Sequence, residues 1–218
     1  MRNPLSDRIL TAKILLGIFF SVGITGMALP ASRETFTSLT PVALLLSIAA
    51  LILFHKSHDP AREIFFFLFI FITAFIIEAI GVKTGRIFGS YRYETGLGPK
   101  IFETPLMIGV NWALLVYCSA VIADRFPVSD FLKIIAGSAL MLAYDLILEQ
   151  AAPVMHMWSF DENVIPWRNY ASWFLLAVIF HSLLRLSGIR TENRIAPFVL
   201  YVQAVFFIIL VIILKFAR

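Results

Sequence analysis

The chain is short of charge, cysteine and histidine. Of its 218 residues only 15% are Asp, Glu, Lys or Arg, where soluble globular domains have about a quarter. With 60% of residues hydrophobic, so few charges do not suit a water-exposed surface, and the solvent for this chain is lipid. The single cysteine, Cys118, excludes a disulfide framework, a CxxC pair and a thiolate metal site. The four histidines include no HExxH and no histidine–carboxylate set with ligand spacing, so neither a metal nor a cofactor is expected. A net charge of +4, spread singly at the ends of apolar runs, speaks for lipid head groups and against nucleic acid. Low-complexity tracts, internal repeats and room for a second soluble domain are all absent.

What remains is a series of apolar segments. Seven can be marked, at roughly 9–29, 39–54, 64–82, 105–123, 131–149, 169–186 and 196–216. Most have the ~20 residues that cross a hydrocarbon core of ~30 Å; the second is short. The expectation is an all-α, polytopic integral membrane protein with about seven transmembrane helices, forming one transmembrane domain over residues 1–218. "ALPAS" after the first segment imitates a signal-peptide cleavage site, but the charged leader and the apolar run are both too long for one. The segment is expected to be a retained helix. Placing the N-terminus in the cytoplasm puts ten Lys and Arg residues inside and eight outside, four of the eight in one loop. That balance favours the N-terminus inside, in a bacterial-type inner (cell) membrane. In either orientation, seven spans place the loop after the third segment and the loop after the fifth on the same face.

The first of those loops is unusually rich. "EAIGVKTGRIFGSYRYETGLGPKIFETP", Glu78 to Pro105, holds five of the chain's eleven glycines, four basic residues, three glutamates and two tyrosines. Glu78 ends the third segment. Asp145 and Glu149 in the fifth are spaced i, i+4 and share a helix face that Ser138 and Met141 continue. A carboxylate inside a span costs several kcal/mol unless paired, protonated or wet. Three of them at one membrane border, with Asn111, Asn169 and Trp173 at similar depth, suggest a cavity opening on one face. The bland alternative is that they only fix helix packing. Gly81, Gly85 and Gly89, four apart, would form a packing stripe on a continuous helix; Gly96, Gly98 and Pro99 argue instead for an irregular path. The tryptophans and tyrosines serve equally as an interfacial belt or as walls of a site.

At these residues the sequence resembles a family. "EAIGVKTGRIFGSYRYETGLGPKIFETPLMIGVNWALLVY" and "YDLILEQAAPVMHMWSFDENVIPWRNYASWF" are similar to two blocks of the carotenoid-biosynthesis membrane proteins, a family typified by carotenoid 1,2-hydratases such as bisanhydrobacterioruberin hydratase. The resemblance spans about residues 75–180, and departs at Glu149-Gln150, where the family has Glu-Pro. It implies an enzyme acting on an acyclic carotenoid dissolved in the bilayer among membrane lipids. It would hydrate the terminal C1–C2 double bond to a tertiary 1-hydroxy group, without a cofactor. Carried over position by position, it picks out Glu78, Tyr91, Tyr93, Asn111, Trp112, Asp145, Glu149, Trp158, Asn169 and Trp173. The roles follow from the chemistry of the implied reaction: Asp145, Glu149 and Glu78 are expected as catalytic carboxyls, and Tyr91, Tyr93, Asn111, Trp112, Trp158, Asn169 and Trp173 as substrate-binding residues. Protonation of C2 needs an acid, the tertiary cation needs aromatic faces, and water at C1 needs a base. The acid is expected to be Asp145 or Glu78, with Asp145, the deeper of the i, i+4 pair, preferred, and Glu149 is expected to handle the water. An end-group cyclase or isomerase would share these parts, and a small transporter or binding protein is the reading from another class.

Overall fold

The computed structural model describes residues 4–216; Arg2 and Arg218 of the charge balance lie outside the described residues. In chain order the helices are α1 (Pro4–Ala28), α2 (Arg33–Ser38), α3 (Thr40–Phe54), α4 (Pro60–Thr84), α5 (Leu106–Ala123), α6 (Asp130–Ala151), α7 (Trp167–Ser187) and α8 (Ala196–Val211). Four short strands, β1 (Tyr91–Tyr93), β2 (Lys100–Ile101), β3 (Thr104–Pro105) and β4 (Trp158–Phe160), lie in the two loops flanking α5–α6.

Local chemistry sets the helix ends. Asp59 caps α4 by accepting from the Arg62 N–H at 3.2 Å, Pro60 occupies the first turn, and Glu63 reaches back to the His58 N–H at 3.0 Å. At the other end Gly85 takes the left-handed conformation (φ 62°) and stops the helix. Gly89 is also left-handed, at φ 109°. The Gly81–Gly85–Gly89 packing stripe therefore does not exist, because the helix that would carry it ends at Thr84. Extended prolines, Pro105 and Pro166, launch α5 and α7.

Six helices are long and apolar enough to cross a membrane, and the chain is an integral membrane protein. The expected seventh, α3, has 15 residues, about 22 Å at ~1.5 Å per residue. It is short because Leu39 ends the separate turn of α2 and His55 leaves helical geometry. Even so it connects the two faces: its Pro41 lies against Gly98 on one, and its C-cap His55 bridges Asn193 on the other. The centre is α5. Of its span 72% is buried, against 22–39% for the other five, as befits a helix that is apolar on every side. Leucines, isoleucines and phenylalanines on the outer helices, such as Leu15, Phe65 and Leu175, are exposed where lipid would be.

The two rich loops are joined. β1 pairs antiparallel with β4, Tyr91 opposite Phe160 and Tyr93 opposite Trp158. The pairing continues as Glu94 N–H to Met157 O (2.8 Å) and Gly96 N–H to His156 O (2.6 Å). This strand pair roofs one end of the bundle, and an all-α expectation did not contain it. Gly96 permits the close approach: a β-carbon there would lie 2.7 Å from His156 O and closer still to Met155 O. Gly96→Ala is expected to lower stability by about 1–3 kcal/mol, as overpacking does. Hydrogen exchange should show the Glu94 and Gly96 amides losing protection while those of α5 keep theirs.

Candidate active site

Beneath the roof three carboxyl side chains are buried, with Glu78, Asp145 and Glu149 only 2%, 0% and 3% exposed. Glu78, in the last turns of α4, receives three neutral donors. The Tyr91 and Tyr93 hydroxyls donate to Oε2 at 2.6 and 2.9 Å, and the Trp112 indole N–H donates to Oε1 at 3.0 Å. The three donors come from two elements: the tyrosines sit on alternate positions of β1, both facing in, and Trp112 comes from the central helix. Glu149 receives the Trp158 indole N–H at 2.9 Å on Oε2 and the Asn169 amide at 2.9 Å on Oε1. Asp145, one turn deeper on α6, lies 3.5 Å from the same Asn169 nitrogen, and its Oδ1 is buried without a hydrogen-bond partner among the described residues.

Glu78 and Glu149 face one small chamber with Tyr91, Tyr93, Trp158, Asn169 and Trp173. Its free volume is ≈ 10 Å³, about what a single water molecule needs. The indoles of Trp112 and Trp173 stack at 4.0 Å and 18°, with Phe180 edge-on to Trp112. Tyr93 stands edge-on to Trp158. The chamber thus has aromatic walls and carboxyl oxygens and, among the described residues, no Lys, Arg or His bonded to any of the three acids. Nor does any group of three or more His, Cys, Asp or Glu among them converge as metal ligands would.

Two expected positions differ. Asn111 is buried on α5 but lines no part of the chamber and bonds to none of the acids, because its turn of α5 points Ile108 at the chamber and Trp112 at Glu78 instead; Trp112 itself stands behind the wall, stacked on Trp173. Asp145 stands behind Asn169 rather than in the wall, because the i, i+4 step lifts Glu149 to the chamber and leaves Asp145 a turn below it. Phe88, Ile108 and Phe160 complete the walls. None of the three was singled out in the sequence, where each is one more apolar residue among many.

Three comparisons bear on the chain. The profile of a family described as carotenoid biosynthesis protein matches residues 39–218. Bisanhydrobacterioruberin hydratase of Haloarcula japonica is 26% identical over 141 residues, which cover 57% of this chain and 46% of that protein. The chain therefore spans about half the length of the curated relative it matches. No solved structure matches it.

The tyrosines make a testable pair. Burial first, and the Glu78 charge next, push both phenols well above their ordinary 10.0. The neutral phenol is thus the native form, and its stabilisation is fully present below about pH 10 and lost as pH rises beyond it. Tyr91→Phe/Tyr93→Phe should be less stable than wild type at neutral pH, with the gap closing above about pH 10. Denaturation at a series of pH values measures the gap; one that widens with alkali would contradict the bonding described.

Proposed function

Because the chain belongs to the carotenoid biosynthesis protein family, we propose that it hydrates the terminal C1–C2 double bond of an acyclic carotenoid end group. The observation supporting this most directly is the cluster of three buried carboxyls, none bonded to a cation among the described residues, two of them facing a water-sized space beside stacked indoles and the third joined to it through Asn169. Three like charges so close repel one another, and one bound proton relieves that repulsion. Glu78 is the least suited to hold it, since three hydrogens already point at its oxygens. Asp145 Oδ1 meets no donor, so the transferable proton belongs to the Asp145–Glu149 pair, joined through Asn169. Glu149, in the chamber wall, is the member that reaches the alkene.

In this mechanism the pair's proton goes from Glu149 to C2, and the π electrons form the new C2–H bond. The positive charge left on C1 lies against Trp173, itself stacked on Trp112, and the fixed Glu78 anion. Such aromatic faces contribute about 0.5–2 kcal/mol each to a desolvated cation. Water attacks C1, and its surplus proton returns to the Asp145–Glu149 pair, so the enzyme ends as it began. The product is the tertiary 1-hydroxy group. With the N-terminus in the cytoplasm, the chamber lies towards the outer half of a bacterial-type cell membrane, within reach of a substrate dissolved in the bilayer.

Expression in a lycopene-accumulating host, with pigment mass analysis, tests the reading. Hydration adds the mass of water; cyclisation or isomerisation leaves the mass unchanged and would refute it. Glu149→Gln and Asp145→Asn should each cut hydroxylated pigment by roughly 10²-fold or more, the scale of a lost general acid. Glu78→Gln, which removes the fixed anion, should also lower it. Yields are compared per membrane-inserted protein. Near-normal yields from all three variants would end the case for this cluster as acid and base.

A further inference from the structure

A second cavity, of ≈ 220 Å³, lies between α1, α3 and α8. Its walls are almost entirely carbon: Phe19 and Phe20 from α1, Ala43 and Leu44 from α3, Phe206 and Phe207 from α8. The polar groups at its edge are satisfied within the protein. Gln203 accepts from the Tyr144 hydroxyl (2.8 Å) and donates to Ser47 (2.9 Å), and the Thr40 hydroxyl donates to Thr37 O (2.7 Å). The space asks for a hydrocarbon and makes no demand for a hydrogen bond. Its rim residues Val22 and Leu39 are 52% and 40% exposed, so the mouth opens sideways, where lipid would be.

We propose that this cavity receives the distal hydrocarbon segment of the same acyclic carotenoid whose end group reacts at the carboxyl chamber; the inference rests on the function proposed above. The chamber has room for about one water (≈ 10 Å³), so the long body of such a substrate needs another berth. At ≈ 220 Å³, against the ~150 Å³ of an apolar cavity that takes up benzene, the second cavity has space for one to two isoprene units. It occupies the same end of the bundle as the chamber. The roof chain runs from Tyr91 and Tyr93, in the chamber wall, through a turn to Gly98 above Pro41 of α3, two residues before Ala43. Seven residues would span at most about 23–25 Å if fully extended, and the turn makes the gap shorter, so an acyclic carotenoid can bridge it. The other roof segment is shared directly. Met155 lines the hydrocarbon cavity, and Trp158, three residues on, holds Glu149 in the chamber. Met157 lies in the turn between, buried beside the end of α6, and its flexible thioether is a side chain that readily gives way to an elongated guest.

The test pairs a cavity-filling variant, Ala43→Phe, with two substrates that bear the same end group: a full-length acyclic carotene and a short acyclic terpene of two isoprene units. Ala43 touches none of the acids, so chemistry on the short substrate should stay within about twofold of wild type. On the long one kcat/KM should fall about tenfold or more, the scale of closing a hydrophobic subsite. Carotene retained by the purified protein supplies a readout independent of turnover: wild type should hold it and Ala43→Phe should not. Unchanged turnover and retention of the long substrate would overturn the inference, leaving the cavity to a bilayer acyl chain. Equal losses on both substrates would overturn it too, by exposing a general defect. If wild type retains carotene and loses it on Ala43→Phe yet never adds water, the berth stands and the hydration reading fails.

Discussion

Glu78 is an acid at membrane depth that no cation neutralises, and much of the architecture around it serves to bring three neutral hydrogens to its two oxygens. A buried carboxylate costs several kcal/mol even after relaxation. Hydrogen bonds to a charged group each return about 1.5–3 kcal/mol, so two phenols and an indole offset much of that cost. Meeting this demand dictates geometry. The indole must come from α5, which therefore lies beside α4 at the depth of Glu78. The phenols must come from chain that has already left α4, so the helix stops at Gly85 and the loop doubles back over its own end. A strand only three residues long cannot hold that position alone. Its pairing with β4 ties it to the α6–α7 connection, and the same pairing delivers Trp158 to Glu149.

Neutral donors also leave the acids chemically available. An arginine in the chamber would fix each carboxyl as an anion and remove any proton it could give. Phenol, indole and amide hydrogens orient the oxygens without adding a positive charge, so nothing locks Glu78, Asp145 and Glu149 all into the ionised form. Asn169 spans two of them with one nitrogen, 2.9 Å from Glu149 and 3.5 Å from Asp145. Those two acids therefore form a unit, while Glu78 stands apart with its own three donors.

Much of this was legible in the sequence, and what was not has physical causes. Helices α4 to α8 follow from apolar runs whose lengths match a bilayer, and the shared face of the two rich loops follows from the parity of the spans. The i, i+4 spacing of Asp145 and Glu149 announced a common face, but not that one would stand in the wall and the other behind an asparagine. That distinction depends on where α7 crosses, which no local pattern records. The β1–β4 pair escaped because two three-residue strands 64 residues apart carry no alternation long enough to read. Asn111 looked like a site residue because a polar group in a span is costly; which way it points depends on the rotation of α5, and an apolar pattern on all sides leaves that rotation unspecified. Phe88 entered the wall only because Gly85 and Gly89 turned the chain there.

The opposite end of the bundle shows that the absence of cations around the three acids is not a shortage of them in the chain. There, Asp124 pairs with Arg185 at 2.6 Å and with Lys133 at 3.4 Å. Glu63 meets His55 at 3.0 Å, and Lys56 meets Glu192 at 3.0 Å. The hydrogen bond and charge of Lys56 hold the exposed Glu192 carboxyl below its ordinary range. Acids that join loops at that face are thus matched with bases, as structural acids usually are. Four of the chain's basic residues lie in the very loop that roofs the chamber, yet Arg92, between the two inward tyrosines, faces out by the alternation of the strand. Lys100 turns its ammonium to the Tyr93 carbonyl at 3.0 Å and to the exposed Glu103 at 4.0 Å, and His156 meets Glu94 at 3.2 Å. The outer acids of this face are thus paired as well, and cations are turned away only from the three buried ones. Uncompensated carboxyls are costly to fold, and they keep the freedom to exchange a proton that an ion pair would remove.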